Sequence, residues 1–96
     1  MQVLSTSPVE IALRTLGAED REEVLAWFEN LRNWEKDTVL RSRAQRLSGS
    51  DNVYVLKTGG DFRIFFRLES DRLVVLDLAT KATIVGSGHM TGTGRS

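Results

Sequence analysis

The chain has 96 residues, 41% of them hydrophobic and 27% charged, with thirteen basic and thirteen acidic side chains and no cysteine. That composition fits one small globular domain and excludes disorder, disulfide scaffolds, thiolate metal sites and cysteine nucleophiles. No apolar run reaches the ~20 residues of a membrane-spanning helix, and the opening "MQVLSTSPVE" has neither the basic start nor the apolar stretch of a secretory signal, so the expectation is a soluble, cytoplasmic protein with no membrane partner.

Taken in chain order, "VEIALR" alternates Val9, Ile11 and Leu13 with Glu10, Ala12 and Arg14, a period of two that predicts a half-buried strand ending before Gly17. "AEDREEVLAWFENLRNW" follows, with Glu19, Asp20, Glu22 and Glu23 at the positive end of a helix dipole. Val24, Phe28 and Leu31 recur at helical spacing, flanked by Leu25 and Trp27, which predicts an amphipathic helix of about 14 residues. Asp37 is placed to cap a second helix whose inward positions are Leu40, Ala44 and Leu47 and whose outward positions carry Arg41, Arg43 and Arg46. "SGSDN" ends it.

From residue 52 the period switches to two. "NVYVLKT" predicts a strand, "GGD" a hairpin turn, "FRIFFRLE" a second strand, "SD" another tight turn and "RLVVLDLATK" a third. The near-continuous apolar run from Leu73 to Leu78 is expected of a central strand buried on both faces. Together these elements predict an α+β fold: an N-terminal strand and a two-helix hairpin packed on a four-stranded, mainly antiparallel sheet. The domain is read as residues 1–85. Residues 86–96, in the glycine- and serine-rich "GSGHMTGTGRS", are read as a flexible tail with the look of vector-encoded sequence and are excluded from the fold.

Net charge is zero, but it is unevenly spread. Residues 1–40 hold four basic and eight acidic groups, net −4, while residues 41–67 hold six basic and two acidic groups, net +4. Alternation places Phe62, Ile64, Phe66 and Leu68 on one face of their strand and Arg63, Phe65 and Arg67 on the other. Guanidinium groups bind phosphates in a bidentate manner, and an exposed ring offers a base a stacking surface. On the residues alone, an ordinary solvent face braced by Arg–Asp and Arg–Glu cross-strand pairs fits the pattern equally well.

Other chemistry has little support. The single histidine, His89, lies in the tail, so no histidine triad or metal centre is expected and no cofactor is called for. The carboxylates from Glu19 to Glu23 are helix-start residues, and Gly59-Gly60 stands in a hairpin, not before a helix as a phosphate loop requires.

"NVYVLKTGGDFRIFFRLESDRLVVLDLATKAT", with "RAQRLSGSDNVYVLK" leading into it, resembles the C-terminal half of the RelE/ParE superfamily of bacterial toxins. The pattern is a strand ending in a basic residue, a Gly/Asp turn, an aromatic–Arg–aliphatic–aromatic–aromatic strand, and an apolar strand with a short basic ending. The likeness extends over about residues 9–84. It implies a cognate antitoxin protein as partner and an activity on the ribosome, where RelE-like and HigB-like members act as endoribonucleases on mRNA and so inhibit translation. ParE-like members instead inhibit DNA gyrase, and a domain that binds antitoxin without toxicity is a further alternative. Carried onto this chain, the resemblance implies catalytic roles for Arg63, Lys57 and Lys81, and RNA contacts for Arg41, Arg43, Arg46, Phe65 and Arg67.

Overall fold

The computed structural model describes residues 1–80. Eight elements follow one another: β1 (Gln2–Ser5), α1 (Ser7–Thr15), α2 (Ala18–Leu31), α3 (Thr38–Ser42), β2 (Ala44–Arg46), β3 (Val53–Lys57), β4 (Phe62–Leu68) and β5 (Arg72–Thr80). The strands form one five-stranded sheet in the order β1-β5-β4-β3-β2. All neighbouring pairs are antiparallel except β1 with β5, which run parallel.

The α+β architecture is as expected, but the sheet has five strands where four were predicted, and the first strand lies elsewhere. Residues 9–14 belong to α1. Thr6 supplies an extended N-cap backbone and Pro8 sits in the first turn, where its missing N–H and fixed φ favour a helix. Val9 and Leu13, four residues apart, face the core, while Ile11 is 57% exposed. The apparent alternation of period two is thus a helical stripe with one solvent-facing isoleucine. The true first strand is the short "QVLS", which adds to the sheet through Val3↔Leu73 and Leu4↔Val74. Arg21 holds the end of α1: its Nε donates to the Leu13 carbonyl at 3.0 Å and its Nη2 to the Leu16 carbonyl at 3.0 Å. A helix C-terminus leaves its last carbonyls short of intrahelical partners; that of Leu13 also accepts the Leu16 N–H at 3.3 Å.

The second predicted helix is also shorter than its spacing suggests. The Asp37 side chain accepts the Leu40 N–H at 3.0 Å, the predicted cap, but α3 ends at Ser42. Ala44 to Arg46 then pair with β3 as an edge strand, with Ala44 opposite Leu56. Leu40 alone of the three predicted inward residues is a buried helical residue; Ala44 packs against the core from a strand.

The helices cover one face of the sheet. Val9 from α1, Leu31 from α2, Trp34 from the segment after it, and Leu40 from α3 close over Leu56, Ile64, Phe66, Leu73 and Val75. At the centre, Phe66 stacks on Tyr54 at 5.6 Å between centroids, and Trp34 meets both rings edge-on at 5.2 and 5.5 Å. β4, not β5, is the middle strand, although β5 has a neighbour on either side. Between β4 and β5 the pairing steps from Phe65↔Asp77 to Phe66↔Val75, leaving Leu76 as the extra residue of a bulge.

Candidate functional site

The face of the sheet away from the helices carries the alternate residues of β4. Phe62, Ile64 and Phe66 are buried, and Arg63, Phe65 and Arg67 are half-buried on the opposite side. Register then adds what alternation cannot. Across the β3–β4 hairpin, Lys57 stands directly opposite Arg63, and Val55 opposite Phe65. Directly opposed residues share a face with their Cβ atoms about 4.5–5.5 Å apart. Two cations are thereby held side by side, an arrangement that by itself destabilises a sheet.

The turn that makes this pair is built from small residues. Gly59 has φ +87°, a left-handed conformation open to glycine. Buried Thr58 closes the turn, its Oγ1 donating to the Phe62 carbonyl at 3.0 Å and accepting the Gly60 N–H at 3.4 Å. The Arg63 guanidinium leans back over the same turn, with Nη1 donating to the carbonyls of Gly60 and Phe62 at 3.3 and 3.0 Å. Among the described residues, no carboxylate pairs with Lys57 or Arg63.

Arg67 is in a different situation. Its Nη2 lies 2.9 Å from Glu69 Oε2, and Arg72 Nε lies 2.6 Å from Glu69 Oε1, so one carboxylate joins two arginines beside the β4–β5 turn. Hydrogen bonds from Arg72 first, and then Arg67, lower the Glu69 pKa below its ordinary value, and the bond to Glu69 raises that of Arg72. The three arginines of this hairpin therefore divide. Arg67 and Arg72 share the Glu69 carboxylate, whereas Arg63 and Lys57 face each other with no carboxylate partner among the described residues. Arg63 and Arg67 are four residues apart on one strand, roughly 13 Å.

The basic residues of the α3–β2 segment separate as well. Arg41 Nη1 donates to the carbonyls of Trp34 and Glu35 at 3.3 and 2.8 Å and so ties α3 to the end of the α2 loop. Arg46 pairs with Tyr54, which places it on the helix-side face of the β2 edge, away from Arg63. Arg43 reaches both α2 and the hairpin turn: its Cζ lies 5.8 Å from the centre of the Trp27 ring, and its Nη1 3.4 Å from where a Cβ on Gly59 would stand. An open cleft of about 280 Å³ lies between, lined by Ser42, Arg43, Ala44, Gln45, Lys57 and Gly59. Lys81 and His89 fall outside the described residues. Among those described, no group of three or more His, Cys, Asp or Glu side chains could hold a metal ion, and no helix is long and apolar enough to cross a membrane.

No protein-family model matches the chain, and no curated protein matches it. Solved structures do. A chain of the archaeal RelE–RelB complex from Pyrococcus horikoshii superposes with a TM-score of 0.66 at 21% identity, covering 83% of this chain and 93% of that one. A chain of the RelB–RelE antitoxin–toxin complex from Methanococcus jannaschii gives 0.68 at 16% identity, covering 85% and 94%. The isolated E. coli RelE toxin gives 0.60 at 15% identity over 82% of each chain. The chain has the RelE-like toxin fold.

Within the RelE-like fold, reasoning from sequence singled out Arg63 and Lys57 but not their direct opposition, which depends on hairpin register. It missed Glu69 as the partner of Arg67 and Arg72. It also missed Trp27 as a neighbour of Arg43, since residues on separate elements leave no periodic signal.

Proposed function

We propose that this chain is the toxin component of a toxin–antitoxin pair and that it acts as a ribosome-dependent endoribonuclease on mRNA. The observation that carries the reading is the Lys57–Arg63 pair: two cations opposed across a hairpin with no carboxylate partner among the described residues, on the open face of a RelE-like fold. The solved relatives are named as RelE toxins and RelB antitoxins, which supports a small antitoxin protein as the partner.

In this reading Arg63 and Lys57 hold the scissile phosphate and neutralise the charge that builds on its oxygens as the neighbouring 2′-hydroxyl attacks phosphorus. The 2′-oxygen forms a new bond to phosphorus, the 5′-oxygen leaves, and a proton passes from the former to the latter through the surrounding groups. Phe65, half-buried beside Arg63 on the same face, provides an aromatic surface for a base. Lys81 is assigned to this set on the family resemblance alone.

The test is induction in a bacterium with transcript ends mapped during translation. Cleavage within translated codons is expected. Loss of one such preorganised charge lowers rates by about 10²–10³-fold, so Arg63→Ala should restore growth while the protein still accumulates. Growth arrest with intact transcripts would overturn the nuclease reading. A second reading rests on the zero net charge, which suits a protein target better than ribosomal RNA: inhibition of DNA gyrase in the ParE-like manner. Blocked supercoiling in a purified gyrase assay would support it, and unaffected supercoiling would remove it. Harmless overexpression without antitoxin would instead mark an antitoxin-binding domain without toxicity.

A further inference from the structure

The cleft beside the β3–β4 turn holds a second pair of basic groups, and α2 supplies part of its frame. Arg43 and Lys57 are fixed to each other through the backbone, the Lys57 N–H donating to the Arg43 carbonyl at 3.1 Å. Both residues line the same cleft. The Arg43 guanidinium lies over the Trp27 ring at 5.8 Å, within the range in which the negative face of an aromatic attracts a cation. It also lies against the glycine turn, since a Cβ placed on Gly59 would come within 3.4 Å of Arg43 Nη1. Glu23, one helical turn before Trp27, comes near this turn too, its Oε2 3.3 Å from where a Cβ on Gly60 would stand. No ion pair links it to Arg43 or Lys57.

We propose that this cleft is a phosphate subsite for single-stranded RNA, and that Trp27 is the positioning residue that holds the Arg43 guanidinium beside Lys57. The proposal rests on the reading of this chain as an RNA-acting toxin. A phosphodiester chain fits better than an isolated phosphate because Lys57 belongs both to the cleft and to the pair with Arg63. The Arg43 carbonyl accepts the Lys57 N–H, and Lys57 on β3 stands opposite Arg63 on β4, so the three backbone positions follow one another across segments about 4.8 Å apart. An arginine side chain left free in water must be ordered before it can bind, whereas one resting on a ring is already partly ordered.

The experiment is a titration of a short fluorescein-labelled single-stranded oligoribonucleotide, followed by anisotropy at several KCl concentrations. The intact protein is compared with Arg43→Ala, Trp27→Ala, Trp27→Phe and the Trp27→Ala/Arg43→Ala double variant. Arg43→Ala should weaken binding and flatten the log K against log[salt] slope by about 0.7, the loss of one phosphate contact on a single strand. Trp27→Ala should weaken binding about two- to fivefold, the worth of an exposed cation–π contact, and Trp27→Phe should restore most of it. The double variant should bind no worse than Arg43→Ala alone. An unchanged salt slope in Arg43→Ala, or additive losses in the double variant, would overturn the proposal; so would Trp27→Phe binding as weakly as Trp27→Ala. If Trp27→Ala does not fold, Arg43→Ala and Trp27→Phe carry the test. RNA bound with this signature but never cut would refute the nuclease reading and leave the subsite standing. A toxic, mRNA-cleaving protein whose binding ignores Arg43 would do the reverse.

Discussion

Replacing Phe66 by leucine probes the packing behind the site without touching its charges. Phe66 is fully buried, stacked on Tyr54 and met edge-on by Trp34. Leucine keeps most of the apolar volume but removes both ring contacts, each worth about 0.5–1.5 kcal/mol beyond the area buried. The change of shape adds less than about 1.5 kcal/mol. A loss of about 1–4.5 kcal/mol is therefore expected, against a total on the order of 5–14 kcal/mol for a domain of this length. In urea, with m near about 1.5 kcal/mol/M, the midpoint should fall by roughly 0.7–3 M at unchanged m. Tyr54→Phe is the control: it keeps both ring contacts, the Tyr54 hydroxyl makes no hydrogen bond among the described residues, and the midpoint should hardly move. The reasoning fails if Phe66→Leu unfolds within about 0.5 kcal/mol of the parent, or if Tyr54→Phe loses as much.

Three further outcomes are expected. Arg21→Ala should lower stability by about 1–2 kcal/mol in the same urea assay, because the carbonyls of Leu13 and Leu16 lose their guanidinium donor; Arg21→Lys, with one compact ammonium, should recover only part. Gly59→Ala forces a side chain into φ +87° and against Arg43 Nη1, so about 1–2 kcal/mol should be lost, together with RNA affinity in the anisotropy titration. The pKa of Glu69 is depressed on folding, so its contribution is present above the ordinary carboxylate value of 4.5 and is lost as pH falls through the lower folded value. Glu69→Gln should accordingly show a weaker loss of stability below pH 4.5 than the parent, and equal acid profiles would refute the assignment.

The β3–β4–β5 meander was legible because three signals agree there: alternation, a glycine turn and aromatic or β-branched residues. The face carrying Arg63, Phe65 and Arg67 follows from alternation alone. Failures came where a short element borrowed its neighbour's period. Ala44 and Leu47 continue the helical spacing of Leu40, yet edge pairing with Leu56 and Val55 outweighs a helix that has only one cap and one buried residue. In the first segment Pro8 was the signal that could have placed α1, and four residues of "QVLS" are too few to show a period. The division among the arginines was hidden for another reason. Which cation meets a carboxylate depends on turn geometry, and Glu69 reaches residues on both sides of the β4–β5 turn.

The parallel pairing of β1 with β5 joins Gln2 to Arg72, a separation of 72 − 2 = 70 residues. Every other strand pair in the sheet is closed by a local reversal of the chain and can form as soon as both its strands exist. This last seam has to wait for residues at the far end, and its closure entropy is the largest in the molecule. A folding order follows: the hairpin that bears Lys57 and Arg63 is assembled early and locally, and β1 arrives to seal an already shaped sheet. Substitutions in β1 such as Val3→Ala should then speed unfolding while leaving the refolding rate nearly unchanged.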